Sequence, residues 1–327
     1  MKIQNLLLTA LTVSGIALSG TIHAQTKSAF PVRIVTLIVP FTPGSGSDLI
    51  ARIIAPRLSA RWGQPVIVDN KPGASGNLGH NYVAKAAPDG HILLLTADSF
   101  TMAPAVYKNM PYDPANDFAP VVPLADASYA FAASPSVPAK DLKSLIAYIK
   151  ANPGKLNYAS PGNGTPHHLA MELFKLKAGV DLLHVPYKGI SGALTDLMGG
   201  HVQLMYGSTN SLVPYATSGK VRLLAITGAG RSPLVPDVAT FHEQGMDAMD
   251  AGNAYYFVSA PARTPPELVA RLNGDISAVI NASDVNAELL KLGLSVRTGT
   301  SAQLGAAVKS DLARWRKVVT DAGITAD

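Results

Sequence analysis

Two stretches of this 327-residue chain carry the residue types that bind an anion without a fixed positive charge. The first is Thr42-Pro43-Gly44-Ser45-Gly46-Ser47-Asp48; Ser45, Gly46 and Ser47 are its candidate donors. The second is Ser160-Pro161-Gly162-Asn163-Gly164-Thr165, with Ser160, Gly162, Asn163, Gly164 and Thr165 as candidates, followed by His167 and His168. Glycines let the backbone approach a ligand closely, and hydroxyls and free N–H groups donate to carboxylate oxygens. The same serines would also serve plain helix capping, and the second loop could simply join a strand to a helix. Neither loop contains an arginine, which favours capture by hydrogen bonds over an ion pair.

The elements around the loops explain how they could act. Ile34 to Val39 is an apolar run rich in β-branched residues, the pattern of a strand buried on both faces. After the first loop Leu49, Ile50, Ile53, Ile54 and Leu58 share one helical face. A strand therefore feeds a tight turn and a helix N-terminus, where orphan N–H groups and the helix dipole favour an anion. Leu156 to Phe174 repeats the plan. The two loops are expected to face each other across one small anion.

Other candidates surround them. Phe30 and Phe41 flank the first strand and could wall a ring-bearing acid, or pack in the core. Thr96 and Ser99 sit at the exit of a third strand; Ser208, Thr209 and Asn210 hold the equivalent place in the second half. Asp48 would repel an anionic guest, and its spacing to Arg52 suits an i,i+4 ion pair. His168 could instead pair with Glu172, and this spacing alone is weak for a metal. Lys188 is a further cationic candidate, or a solvated surface lysine. Gly73, Gly76 and Gly79 read as backbone-geometry glycines. No cofactor or metal is expected.

Composition narrows the classes. Hydrophobic residues make up 47% and charged residues 15%, the balance of a globular protein. There is no cysteine, which excludes disulfides, thiolate nucleophiles and thiolate metal sites. The formal net charge of +5 suits an anionic ligand. No basic cluster with interleaved aromatics points to nucleic acid. Residues 1–24 read as a signal peptide: Lys2, an apolar core from Leu6 to Leu18, and Ile22-His23-Ala24 before the cut. An exported, periplasmic protein is expected.

Strands and helices alternate through both halves, which implies an α/β fold with parallel sheets covered on both faces. Asp126-Ala127-Ser128 is one expected crossing between lobes and Asp250 to Asn253 the return. Lobe 1 would hold residues 25–126 and 252–327, lobe 2 residues 127–251. Two lobes with two hinge crossings make a clamshell, and ligands of such sheets bind beyond the carboxyl ends of the strands.

The blocks PFTPGSGSDLIAR, VIVDNKPGASGNLG, AAPDGHILLL, NYASPGNGTPHHLAMELF and HVPYKGISGALTDLMGGHVQLM resemble, in order, those of the substrate-binding receptors of tripartite tricarboxylate transport systems, the Bug-type periplasmic receptors. VRLLAITGAGRSPLVPDVATFHEQG and APARTPPELVARLN continue the match over the whole mature chain. The resemblance implies a type II periplasmic binding protein fold, no catalysis, and delivery of an organic acid to integral membrane transporter subunits. It also implies that the loop after the first strand of each lobe grips a carboxylate with backbone N–H groups, hydroxyls and waters. Those loops are Thr42 to Asp48 and Ser160 to His168. Ser45 stands where that family commonly has Gly.

A monomer is expected, and an aromatic dicarboxylate such as terephthalate is the favoured guest. A periplasmic organic-acid sensor would share the clamshell. A nucleotide-dependent dehydrogenase is the enzyme alternative, since Gly44-x-Gly46 follows a strand and Asp69 ends the next. The third glycine position of that fingerprint holds Leu49.

Overall fold

The structure is a computed structural model and describes residues 30–228, 230–249, 254–321 and 323–324. The described residues from Pro31 onward belong to one compact unit. The expected signal segment 1–24 and the return crossing 250–253 lie outside the described residues.

β1 (Val35–Val39) is almost entirely buried, as its apolar run requires. It pairs in parallel with β2 (Val66–Asn70) on one side and β3 (Ile92–Ala97) on the other. α1 (Gly46–Trp62) and α2 (Asn77–Ala84) make the crossovers. Two antiparallel strands extend the sheet, β4 (Phe118–Ala127) and β10 (Ala254–Pro261), and the short β11 (Leu294–Val296) completes it. The order is β11-β4-β10-β3-β1-β2.

The second sheet repeats the plan. β6 (Asn157–Ser160) lies between β7 (Leu183–Pro186) and β8 (Leu204–Ser208), all parallel. β5 (Tyr129–Ala133) runs antiparallel to β8 and to β9 (Arg222–Ile226), giving the order β7-β6-β8-β5-β9. Only Ser128 separates β4 from β5, so one extended run leaves the first sheet and enters the second.

Helices cover these sheets. α3 (Ser99–Val106) follows β3, α5 (Pro166–Ala178) follows β6, α6 (Ile190–Gly199) follows β7, and α7 (Thr209–Thr217) follows β8. α4 (Leu142–Ala151) follows β5. Asp141 caps it, accepting from the Ser144 N–H at 2.7 Å, and fixes the first turn there. The C-terminal cover is α8 (Pro266–Ile280) and α10 (Ser301–Asp321), with α9 (Ser283–Lys291) between them.

Each half has its own core. In the first, Phe100 packs edge-on against Phe118 and Phe257 beneath Ile38 and Leu94. Truncating Phe100 to Ala would cost about 3–5 kcal/mol. In the second, Leu194, Met205, Leu212 and Ile226 pack together. A third cluster bridges them: Leu169 of α5 meets Met102 and Val106 of α3 and Trp315 of α10.

Candidate functional site

The first loop is built so that its donors are left over. Ser45 caps α1, its hydroxyl accepting from the Asp48 N–H at 3.3 Å, and its carbonyl accepts from Leu49 N–H at 2.9 Å. Gly46 and Ser47 occupy the first turn, where N–H groups have no intrahelical acceptor. Asp48 turns back under the loop. Its carboxylate accepts from Gly44 N–H at 2.9 Å, Arg52 Nε at 3.0 Å and Asn70 Nδ2 at 3.0 Å. Burial alone would raise its pKa, but these donors outweigh it and hold it below the ordinary carboxylate range. Asp48 is therefore a brace for the loop. Gly44 sits at φ +83°, a turn that excludes most other residues.

The second loop closes on itself. Ser160 is fully buried; its hydroxyl accepts from Gly162 N–H at 3.1 Å and lies 2.7 Å from His184 Nε2. Thr165 caps α5, its hydroxyl donating to Gly162 carbonyl at 2.7 Å and accepting from His168 N–H. Gly164 N–H donates to His168 Nδ1 at 3.1 Å, and His168 stacks on His184. Pro166 at the first helical position has no N–H. The loop's free ligating group is His167. The residue is half-buried, both of its ring nitrogens are buried without a partner, and its ring stands edge-on to Tyr129 at 5.7 Å. Burial lowers its pKa to about 4, so the ring is neutral near pH 7.

Between the loops lies a cleft lined from both sheets. The cleft is small, about 80 Å³, well above the roughly 10–15 Å³ that a single water needs. Phe41, Tyr129, Tyr256 and Ile190 give it apolar walls. Four of its lining residues carry buried side-chain polar atoms without hydrogen-bond partners: Thr42 Oγ1, Ser47 Oγ, Ser99 Oγ and both His167 nitrogens. An unpaired buried polar group costs about 1–3 kcal/mol, so five such atoms in one cavity mark a place for a polar guest. A Cβ at Gly46 would fall on the Tyr256 hydroxyl; only glycine lets that ring close over the helix N-terminus. Across the cleft, the Ser75 hydroxyl donates to the Asn163 carbonyl, and Tyr129 donates to Asp98 at 2.8 and 3.0 Å.

Of the residues singled out from the sequence, Phe41, Ser45, Gly46, Ser47, Ser99, Thr165, His167 and Ser208 line the cleft, as do Lys188 and the backbone-geometry glycines Gly73 and Gly76. Ser208 also meets Ser211 Oγ at 2.9 Å. Others stand elsewhere. Ser160, Gly162 and Gly164 are held in the loop's own network, and Asn163 and His168 border a different groove with Glu172 and Lys175. Thr96 points into the core, 2.8 Å from His80 Nε2. Thr209 accepts from Ser128 Oγ at 2.8 Å. Phe30 is not among the lining residues. Sequence reasoning missed Asp98, Tyr129 and Tyr256. The signal was positional: each tyrosine lies at the start of the antiparallel strand that runs beside β3 or β8, opposite Ala97 or Ser208.

Two α/β sheets of parallel core strands, linked by antiparallel crossing strands around a cleft, define a type II periplasmic binding protein. The model of the tripartite tricarboxylate transporter family receptors matches residues 50–324, and the chain belongs to that family. A relative from Pseudomonas sp. strain P51, described as a UPF0065 protein in the tcbD-tcbE intergenic region, is 38% identical over 319 residues, 96% of this chain and 95% of its own. Among solved structures, Rpa4515 of R. palustris with adipate superposes with a TM-score of 0.86 at 36% identity, covering 90% of this chain and 99% of that one. MatC of Rhodopseudomonas palustris with bound malate gives 0.84 at 34% identity, covering 89% and 100%. The family is one of solute-binding receptors, not of enzymes.

Proposed function

We propose that this protein is a periplasmic receptor, exported with cleavage of residues 1–24. It captures a small organic dicarboxylate between lobe 1 (25–126 and 252–327) and lobe 2 (127–251). As a monomer it then delivers the acid to the membrane subunits of a tripartite tricarboxylate-type transporter. One carboxylate sits at the α1 N-terminus, on the Gly46 and Ser47 N–H groups and the Ser47 and Thr42 hydroxyls. The other end of the ligand meets Ser99 and His167. The observation that carries this reading is the convergence of buried, unpartnered donors on one cleft. Neutral donors and a helix N-terminus bind a carboxylate without the desolvation of a fixed cation. Closure follows because the ligand touches both lobes and so binds the closed form more tightly.

Phe41, Tyr129 and Tyr256 suit a ligand with a flat apolar middle. This favours terephthalate over adipate, the ligand of one relative, and over the hydroxylated malate of another. A thermal-shift screen with terephthalate, adipate, malate and benzoate tests both levels. Terephthalate should raise the melting midpoint most, by several degrees at about a hundredfold excess over Kd. Adipate ahead of terephthalate would overturn the aromatic preference alone. No shift with any acid would overturn the carboxylate site.

A further inference from the structure

We propose that binding of a dicarboxylate in this cleft carries a proton from solvent onto Asp98, which makes Asp98 the residue that sets the protonation state of the closed complex. This inference rests on the carboxylate reading of the site. Asp98 follows β3 directly, is buried, and lines the same cleft as Ser47, Ser99 and His167. Tyr129, on β5 of the second half, donates to both of its oxygens. The carboxyl is thus clamped between the two sheets in the enclosed space that an anion would fill.

No cationic side chain among the described residues is paired with it. Among the described residues no Lys, Arg or His forms an ion pair with Asp98. β5 presents the Tyr129 phenol, with Tyr206 of β8 stacked behind it. β10 presents Tyr255 and Tyr256, whose phenols burial pushes up, so they stay neutral. α5 presents neutral His167. α10 presents Asp311, a second negative charge, held by Arg314 at 3.1 Å. Lys188, before α6, lines the same cleft.

Burial, helped by Asp311 and opposed by the Tyr129 hydrogen bond, already lifts the Asp98 carboxyl to about 7 in the free protein. An anion closed into the same small volume lifts it further. Protonation removes the repulsion and gives the ligand an O–H donor, while Tyr129 keeps its bond to the other oxygen. The proton comes from the buffer and no bond is broken.

The test is calorimetric titration at pH 7.5 in two buffers of different ionisation enthalpy. The probe is whichever of terephthalate, adipate and malate shifts the melting midpoint most. Wild type should take up about half to one proton per ligand, and its affinity should fall about five- to tenfold from pH 6 to pH 8. Asp98→Asn, a neutral mimic of the protonated acid, should show no uptake and a flat pH profile. His167→Gln should bind more weakly yet still take up the proton.

Binding without uptake in wild type overturns the proposal and leaves the site reading intact. So does uptake that survives Asp98→Asn but vanishes in His167→Gln. Loss of binding in a folded Asp98→Asn also overturns it, since the complex would then need the ionised carboxylate and not its protonated form. Should that variant fail to fold, the ¹³C-carboxyl shift of Asp98 in wild type, with and without the probe, decides the same point. Binding of none of the three acids overturns both readings together.

Discussion

The two glycine loops hold similar residues in similar order, yet they present different groups to the cleft. The first loop leaves its Ser47 hydroxyl unpaired and the N–H groups of its first helical turn without intrahelical acceptors, while its brace, Asp48, is tied to Arg52 and Asn70. The second loop uses Ser160 and Thr165 to satisfy itself, starts its helix with a proline, and offers a neutral imidazole instead. The difference teaches that a glycine-hydroxyl turn binds a ligand only with whatever its own capping network leaves unpaired. The first sheet's side supplies Thr42, Ser47 and Ser99 together with Phe41 and Tyr256; the second supplies His167 and Tyr129.

That asymmetry can be broken from either side. The largest effect should come from Gly46→Val, whose side chain would collide with Tyr256 over the carboxylate subsite. Affinity for the best acid of the panel should drop more than about a hundredfold, roughly 3 kcal/mol. Its counterpart in the other loop, Gly164→Ala, sits at φ +72° against Tyr107 and Ala103. It should cost about 1–3 kcal/mol of folding stability in a urea titration and leave affinity within about twofold.

The adjacent histidines give a second comparison. His167→Ala should weaken binding by about tenfold, as one lost hydrogen bond to a charged oxygen implies. His168→Ala should act on stability, because His168 serves Gly164 and His184. Equal affinity losses in the pair would place both rings at the ligand.

Two carboxylates in or beside the cleft titrate in opposite senses. The native state holds the Asp98 proton up to about pH 7, whereas an unfolded aspartate releases it near 3.8. The native state therefore binds more protons across that window, and the contribution of Asp98 to stability falls as pH rises from about 4 to 7. Asp98→Asn should be more stable than wild type at pH 8, by about 1–3 kcal/mol, with the gain shrinking toward pH 4. The depressed pKa of Asp48 works the other way: its contribution is present above about pH 4 and is lost as pH falls below it. Asp48→Asn should thus be the smaller effect, visible at pH 7 and shrinking as pH falls below about 4.

Much of the fold could be read from the chain because local and global signals agree. The β-branched run of Val35 to Val39, the capping serine at 45 and the shift to helical spacing all fit one strand-turn-helix unit. The site was legible where the backbone alone makes it, at Ser45 to Ser47. It was not legible where long-range contacts decide. Ser160 looked equivalent to Ser45 until His184, 24 residues on, was found against its hydroxyl. Thr96 looked like a rim hydroxyl, but strand alternation turns it toward His80. Tyr129 and Tyr256 read as ordinary strand residues, and only the antiparallel pairing of β5 and β10 brings both to one cavity. β11 and α9 were missed because both are short and follow ordinary surface patterning.

The most direct measurement is a pair of calorimetric titrations at pH 6 with one dicarboxylate, on Ser47→Ala and Ser160→Ala. The unequal-loop account predicts a loss of about ten- to a hundredfold for Ser47→Ala, since the hydroxyl of this cleft-lining residue is buried and unpaired. It predicts a change within about twofold for Ser160→Ala, with a lower melting point instead. The opposite order, with Ser160→Ala losing affinity and Ser47→Ala keeping it, would contradict the account.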